Sequence, residues 1–161
     1  MAIQVAHHDR VYQPGAMIVH QDTPASSLFI LKTGAAMVVK QVEGGRDVTL
    51  DVLAPGSLFG EMALIDGSHR SASVIAVQIS SCIELPAALV AEQLRIGGPL
   101  IPVVLRVLAL RLRVTSDQLA QLRSGEQFPV ANEVSQDPDT ARHMAKAVRE
   151  LETQVLRFSQ G

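Results

Sequence analysis

Over residues 12–85 the chain is cut into short apolar runs by glycine, proline and aspartate at nearly regular intervals, and this punctuation constrains the fold more than any other feature. Runs of roughly four to eight residues bounded by such turn formers predict strands. Pro14-Gly15 precedes a strand over 16–20, and Asp22-Thr23-Pro24 separates it from one over 28–32 that Gly34 closes. A strand over 35–42 leads to Gly44-Gly45, which supplies the positive φ of a tight two-residue hairpin. In the strand that follows, Val48, Leu50 and Val52 alternate with Asp47, Thr49 and Asp51, the pattern of a sheet with one wet face. Beyond Pro55-Gly56 come strands over 72–79 and 81–85. Many short strands at this spacing predict a sandwich or jelly-roll barrel.

At Pro86 the pattern changes to helix. Residues 87–95 form a short helix stopped by Gly97-Gly98, and Pro99 opens a longer one to about 123. Leu105, Leu108, Leu112, Thr115, Leu119 and Leu122 recur along it at three and four residues, a heptad seam. That seam serves packing on the barrel, a two-stranded dimer interface, or both along different parts of one long helix. In the tail, Asp137-Pro138-Asp139 is a helix start, and Met144, Val148, Leu151, Val155 and Phe158 make an amphipathic helix over 138–158. The predicted organisation is thus a domain over 1–123 (barrel 12–85, helices 86–123) and a linker with C-terminal helix over 124–161.

Composition removes several function classes. A net charge of -2 in 161 residues argues against a broad basic surface for nucleic acid. Cys82 is the single cysteine, so no internal disulfide or multi-cysteine metal site can form, and Cys82 itself is expected in the core. His7, His8 and His69 lack a third ligand at a metal-binding spacing, and no metal is expected. The most apolar stretch, 99–110, is shorter than the ~20 residues of a membrane span, and the start of the chain lacks a signal peptide. Cytoplasmic localisation is expected, without membrane association. No activated nucleophile or acid–base pair is visible, so no catalysis is expected.

Residues 55–76, PGSLFGEMALIDGSHRSASVIA, carry the chemistry. A helical turn beginning near Gly60 presents free backbone N–H groups, and Gly60 permits close approach of a ligand. Nine residues beyond Glu61, Arg70 opens a strand with Ser71 and Ala72. One guanidinium, a hydroxyl and oriented amides suit a single phosphate. Glu61 repels a phosphate and is better used to accept a hydrogen bond from a hydroxyl such as that of a ribose. An anion and a sugar hydroxyl on one barrel point to a nucleotide-like ligand. The structural alternative for Glu61 and Arg70 is an ion pair bracing the barrel.

This segment resembles the phosphate-binding cassette of cyclic nucleotide-binding domains, the sensors of the catabolite activator protein, the regulatory subunits of cAMP-dependent kinase and cyclic-nucleotide-gated channels. The cassette's Phe-Gly-Glu-hydrophobic-Ala-Leu and later Arg-small-Ala stand here as Phe59-Gly60-Glu61-Met62-Ala63-Leu64 and Arg70-Ser71-Ala72. The likeness runs from about Tyr12 to about Leu122. It implies that Glu61 binds the ribose 2′-hydroxyl, Arg70 neutralises the cyclic phosphate, and amides around Gly60, Ala63 and Ser71–Ala72 complete the cradle. In cGMP-selective relatives a Thr or Ser at the position of Ser71 also contacts guanine. The ligand implied is therefore cAMP by default, or cGMP. The last family helix meets the base, with Leu108, Leu112 and Arg111 or Arg113 as candidates. Two departures stand out: Gln21-Asp22 replaces the usual Gly-Asp, and the tail is too short for a helix-turn-helix reading head. The resulting expectation is a stand-alone sensor, a homodimer through the 99–123 helix, that signals by helix rearrangement to an unidentified protein partner without direct DNA binding. Competing expectations are a ligand-free interaction domain of the same fold, and a transcription-regulator relative acting with a separate DNA-binding chain.

Overall fold

The computed structural model describes residues 8–124 together with Arg142, Lys146, Arg149 and Glu150. The elements are β1 (His8–Tyr12), β2 (Met17–Val19), β3 (Ser27–Thr33), β4 (Ala36–Gln41), β5 (Asp47–Leu53), β6 (Leu58–Phe59), α1 (Glu61–Asp66), β7 (Ser73–Ala76), β8 (Ser80–Pro86), α2 (Ala87–Ile96) and α3 (Leu100–Ser124). Two four-stranded sheets, ordered β1-β8-β3-β6 and β2-β7-β4-β5, are antiparallel throughout. This is the jelly-roll barrel followed by helices that the punctuation predicts. The predicted tail helix over 138–158 falls largely outside the described residues.

β3 is the centre of the packing. Its run Leu28-Phe29-Ile30-Leu31 is apolar at every position because strand side chains alternate and both faces of this strand are covered. Phe29 and Leu31 lie between the sheets with Val19, Leu53, Phe59, Val74 and Cys82. Leu28 and Ile30 join Leu58, Ile83 and Leu85 beneath α2 and α3. Burial without a charged neighbour pushes the Cys82 thiol up to about 12, which makes it an inert core residue as expected. On α3 the buried positions are Leu100, Val103, Val104 and Val107, spaced i, i+3, i+4, i+7, and each contributes about 1.5–3 kcal/mol of burial. These seat the first half of α3 on the barrel and so place its next turn above α1.

Four details differ from the sequence reading. The heptad leucines do not pack on the barrel as one stripe: Leu108 lies partly buried against the core, but Leu105, Leu112, Leu119 and Leu122 are exposed, because Leu100, Val103, Val104 and Val107 take the inward face. The alternation in β5 does not bury Val48, Leu50 and Val52 as one face. Leu50 has no partner between the pairs Val39↔Thr49 and Val38↔Asp51, and this extra residue switches the faces, leaving Leu50 exposed and Leu53 buried. Gly44 and Gly45 both have positive φ, but the hairpin loop is longer than two residues, closed by Val42 N–H to Arg46 O (2.9 Å) and Gly45 N–H to Val42 O (3.1 Å). Finally, the barrel begins before the predicted bound at residue 12: β1 is an edge strand paired with β8 from His8↔Glu84 to Tyr12↔Ser80. Among the described residues no single helix is long and apolar enough to cross a membrane.

Candidate functional site

The site begins where β6 ends. Gly60 caps α1 with φ +80, a conformation that costs a side-chain-bearing residue roughly 1–2 kcal/mol. A Cβ here would lie 2.6 Å from Arg70 Nη1, so the bare Cα is also what allows the guanidinium to lie against the chain. The turn aims Glu61, the first residue of α1, beneath α3, where it is 1% exposed.

Arg70 enters from the opposite side, on the approach to β7 rather than inside it as the sequence suggests. Its backbone is held by the 21–24 loop: Arg70 N–H donates to Thr23 O and Asp22 N–H donates to Arg70 O, both at 2.9 Å. Gln21 N–H donates to Ser73 Oγ at 3.0 Å. Asp22 itself takes φ +61, which aspartate tolerates better than most residues, so the loop forms without the usual glycine. The Arg70 side chain is 6% exposed, with Nη1 donating to Gly60 O and Nη2 to Ser27 O, each at 2.5 Å. Its guanidinium lies 5.9 Å from the centre of the Phe29 ring, which stacks on Phe59 at 5.4 Å. Burial pulls the guanidinium below its ordinary pKa, opposed by the nearby carboxylates of Glu61 and then Glu84. Among the described residues no carboxylate ion-pairs with it.

Glu61 pairs instead with α3. Arg111 Nη1 donates to Glu61 Oε1, and Arg111 Nη2 donates to Leu58 O at 2.8 Å. Glu61 Oε2 is buried and has no hydrogen-bond partner among the described residues. The structural alternative, an ion pair between Glu61 and Arg70, is therefore not what is found. An apolar cleft lined by Leu28, Ile65, Val90, Leu100 and Val104 adjoins the same carboxylate.

Of the residues named from sequence, Phe59, Gly60, Glu61 and Arg70 come together, with Ala63 on the buried face of α1. Met62 and Ser71 are exposed and Ala72 is half-buried on the rim. Leu108 is partly buried against the core under the helices, and Arg111 reaches Glu61 rather than open space. Ser27 and Phe29 carry no such signal in the sequence, because one meets Arg70 through its carbonyl and the other through its ring inside what reads only as a core strand.

Known proteins sharpen this picture. A family model described as cyclic nucleotide-binding domain matches residues 9–96. The chain is 37% identical over 76 residues to the cyclic AMP receptor protein of Thermus thermophilus, an alignment covering 47% of this chain and 35% of that protein. It is 41% identical over 71 residues to a cGMP-dependent protein kinase of Plasmodium berghei, covering 44% and 8% respectively. Among solved structures, the catabolite activator protein of Thermus thermophilus superposes with a TM-score of 0.63 at 26% identity, over 91% of this chain and 80% of that one. The chain spans less than half the length of these two curated relatives.

Proposed function

The chain belongs to the cyclic nucleotide-binding domain family, and from that premise we propose that it is a non-catalytic regulatory sensor whose ligand is cAMP or cGMP. In this reading Arg70 meets the cyclic phosphate, and Glu61 accepts a ribose hydroxyl. Backbone around Gly60, Ala63 and Ser71–Ala72 closes the cradle. One observation carries it. Arg70 is a buried cation whose two hydrogen bonds both go to neutral carbonyls. Buried charges are ordinarily paired, and a guanidinium has five donors, so this one keeps capacity for an anion while staying braced. The relatives named for cyclic AMP and for cGMP leave both ligands in play. Ligand held between Glu61 and Arg70 shifts the packing of α3, and the cytoplasmic signal passes to the tail or to a protein partner.

Calorimetric titration of the purified chain with cAMP and with cGMP tests this. Saturable heat at one site per chain, with a higher melting temperature, is expected for at least one of them. No heat and no thermal shift at millimolar concentration of either would overturn the sensor reading and favour a ligand-free interaction domain.

We also infer a homodimer through α3. Leu105, Leu112 and Leu119 are exposed at seven-residue spacing, and Leu122 extends the same face, which suits a second copy of the helix. Sedimentation velocity at micromolar protein should show a dimer that Leu112→Glu converts to monomer. A native chain that sediments only as monomer retires the interface.

A further inference from the structure

β4 runs on past the strand beside it. The β4–β7 ladder extends from Ala36↔Ala76 to Val39↔Ser73, and the same antiparallel register would set Ser71 opposite Gln41, the last residue of β4. Ser71 does not take that place: β7 begins at Ser73, and the chain bends through Ser71 and Ala72. Arg70 pairs instead with the 21–24 loop, through Asp22 N–H to Arg70 O and Arg70 N–H to Thr23 O. A side chain fills the place opposite Gln41. Gln21 Oε1 accepts from Gln41 N–H at 2.8 Å, and Gln21 Nε2 donates to Gln41 O at 3.2 Å. An amide side chain carries the same donor and acceptor as a peptide group, so this fork reproduces both bonds of a hydrogen-bonded ladder pair. Gln21 Nε2 also donates to Asp22 Oδ2 at 3.2 Å, and Gln21 N–H donates to Ser73 Oγ at 3.0 Å. One residue thus closes β4, anchors the start of β7 and steadies the loop that carries the Arg70 backbone. The glycine usual at this position has no side chain with which to do so.

We propose that Gln21 is a positioning residue for the phosphate cradle: its amide fills the ladder place opposite Gln41 and so keeps Ser71 and Ala72 off β4, leaving their N–H groups available to an anion beside Arg70. The proposal rests on the reading of Arg70-Ser71-Ala72 as the phosphate site. Without the fork, the Gln41 N–H and C=O face either water or Ser71, and pairing with Ser71 merely continues the ladder already formed at Ser73. That pairing lengthens β7 by two residues and commits the Ser71 N–H to Gln41 O. An N–H so committed is not offered to a phosphate, so the zipped form and the cradle form exclude each other. The apparent affinity then falls in proportion to the fraction left in the cradle form.

The test uses the full chain with Gln21→Met, which keeps the length of the side chain and removes both hydrogen-bonding groups, and with Gln21→Asn, which keeps the amide on an arm too short to reach Gln41. Without nucleotide, solvent exchange of the Ser71 amide, followed by NMR, should slow by about three- to tenfold in both variants as the ladder takes it in. The affinity for cAMP or cGMP, by calorimetry, should fall by the same factor, because both readings count one equilibrium. Loss of a merely structural brace would loosen the loop and quicken exchange there, so the sign of the Ser71 change is decisive. Unchanged or quicker Ser71 exchange in both variants overturns the proposal, whatever the affinity does. Slower exchange with unchanged affinity also overturns it, since Ser71–Ala72 then take no part in holding the anion, while the native binding heat still supports the sensor. A Gln21→Asn chain that behaves as native overturns it too, because the amide then works without reaching Gln41. If Gln21→Met does not fold, Gln21→Asn carries the same measurements. A native chain that takes up neither nucleotide defeats the sensor reading, and the Ser71 exchange still decides whether Gln21 holds this segment off β4.

Discussion

Arg70→Ala should weaken cyclic-nucleotide binding by roughly 30- to 1000-fold in a calorimetric titration, while the protein still melts cooperatively. The affinity figure follows from a charge-assisted, forked contact worth about 2–4 kcal/mol in a site shielded from water. The effect on folding is the balance of two opposed changes. Gly60 O and Ser27 O each lose a donor, at about 1–3 kcal/mol apiece if water does not replace it. Against this, the variant no longer buries a cation that lacks a carboxylate partner among the described residues, and that desolvation penalty is of similar size. The melting temperature therefore changes far less than the affinity. Arg70→Lys retains the charge but cannot reach Gly60 O, Ser27 O and an anion together, so it should recover only a small part of the binding. A folded Arg70→Ala protein with unchanged affinity would mean that the anion is held elsewhere.

What the sequence makes legible depends on how each residue acts. That Gly60, Glu61 and Arg70 lie together is legible because a glycine, a carboxylate and a guanidinium stand in a fixed order along the chain. The contact of Ser27 is not, since its carbonyl rather than its identity holds Arg70. The fold class followed from turn residues that act locally, and the breaks at Pro86 and Gly97-Gly98 fall at the observed helix boundaries. The faces of β5 do not follow from its alternation, because alternation assumes regular pairing and one unpaired residue at Leu50 reverses it. The part played by Arg111 depends on the rotation of α3, which Leu100, Val103, Val104 and Val107 set by packing. The signal was present in that stripe, but the heptad leucines compete with it in the same helix. Two apolar faces on one helix cannot be ranked without knowing which of them meets the barrel.

Gly34→Ala should cost about 3 kcal/mol of unfolding free energy in urea, a large share of the roughly 5–15 kcal/mol that holds a domain together. Gly34 follows β3 at the corner where the chain leaves one sheet for β4 in the other, and it takes φ +89. A Cβ there would lie 2.5 Å from Ile79 O and 2.6 Å from Ser80 Cα, and would also meet Ser80 Oγ. Two of those three atoms are backbone, in a segment tied down by Val77 N–H to Ala35 O at 3.0 Å and by the Ser80 hydroxyl bridging to Ala35. Ser80→Ala should therefore fail to rescue Gly34→Ala, because it clears only the side-chain contact. Gly15 is the internal reference: its φ is +83, yet nothing lies within 4 Å of an added Cβ. Gly15→Ala should pay the conformational cost alone, about 1–2 kcal/mol, and the difference between the two variants measures the overlap at Gly34. Equal losses at the two positions would show that φ, not the overlap, governs the corner. If the overlap is the larger part, the strain falls on β3, whose Ser27 carbonyl and Phe29 ring form the floor beneath Arg70. Gly34→Ala should then weaken nucleotide binding as well, although it touches no residue of the site, whereas Gly15→Ala should leave the affinity unchanged.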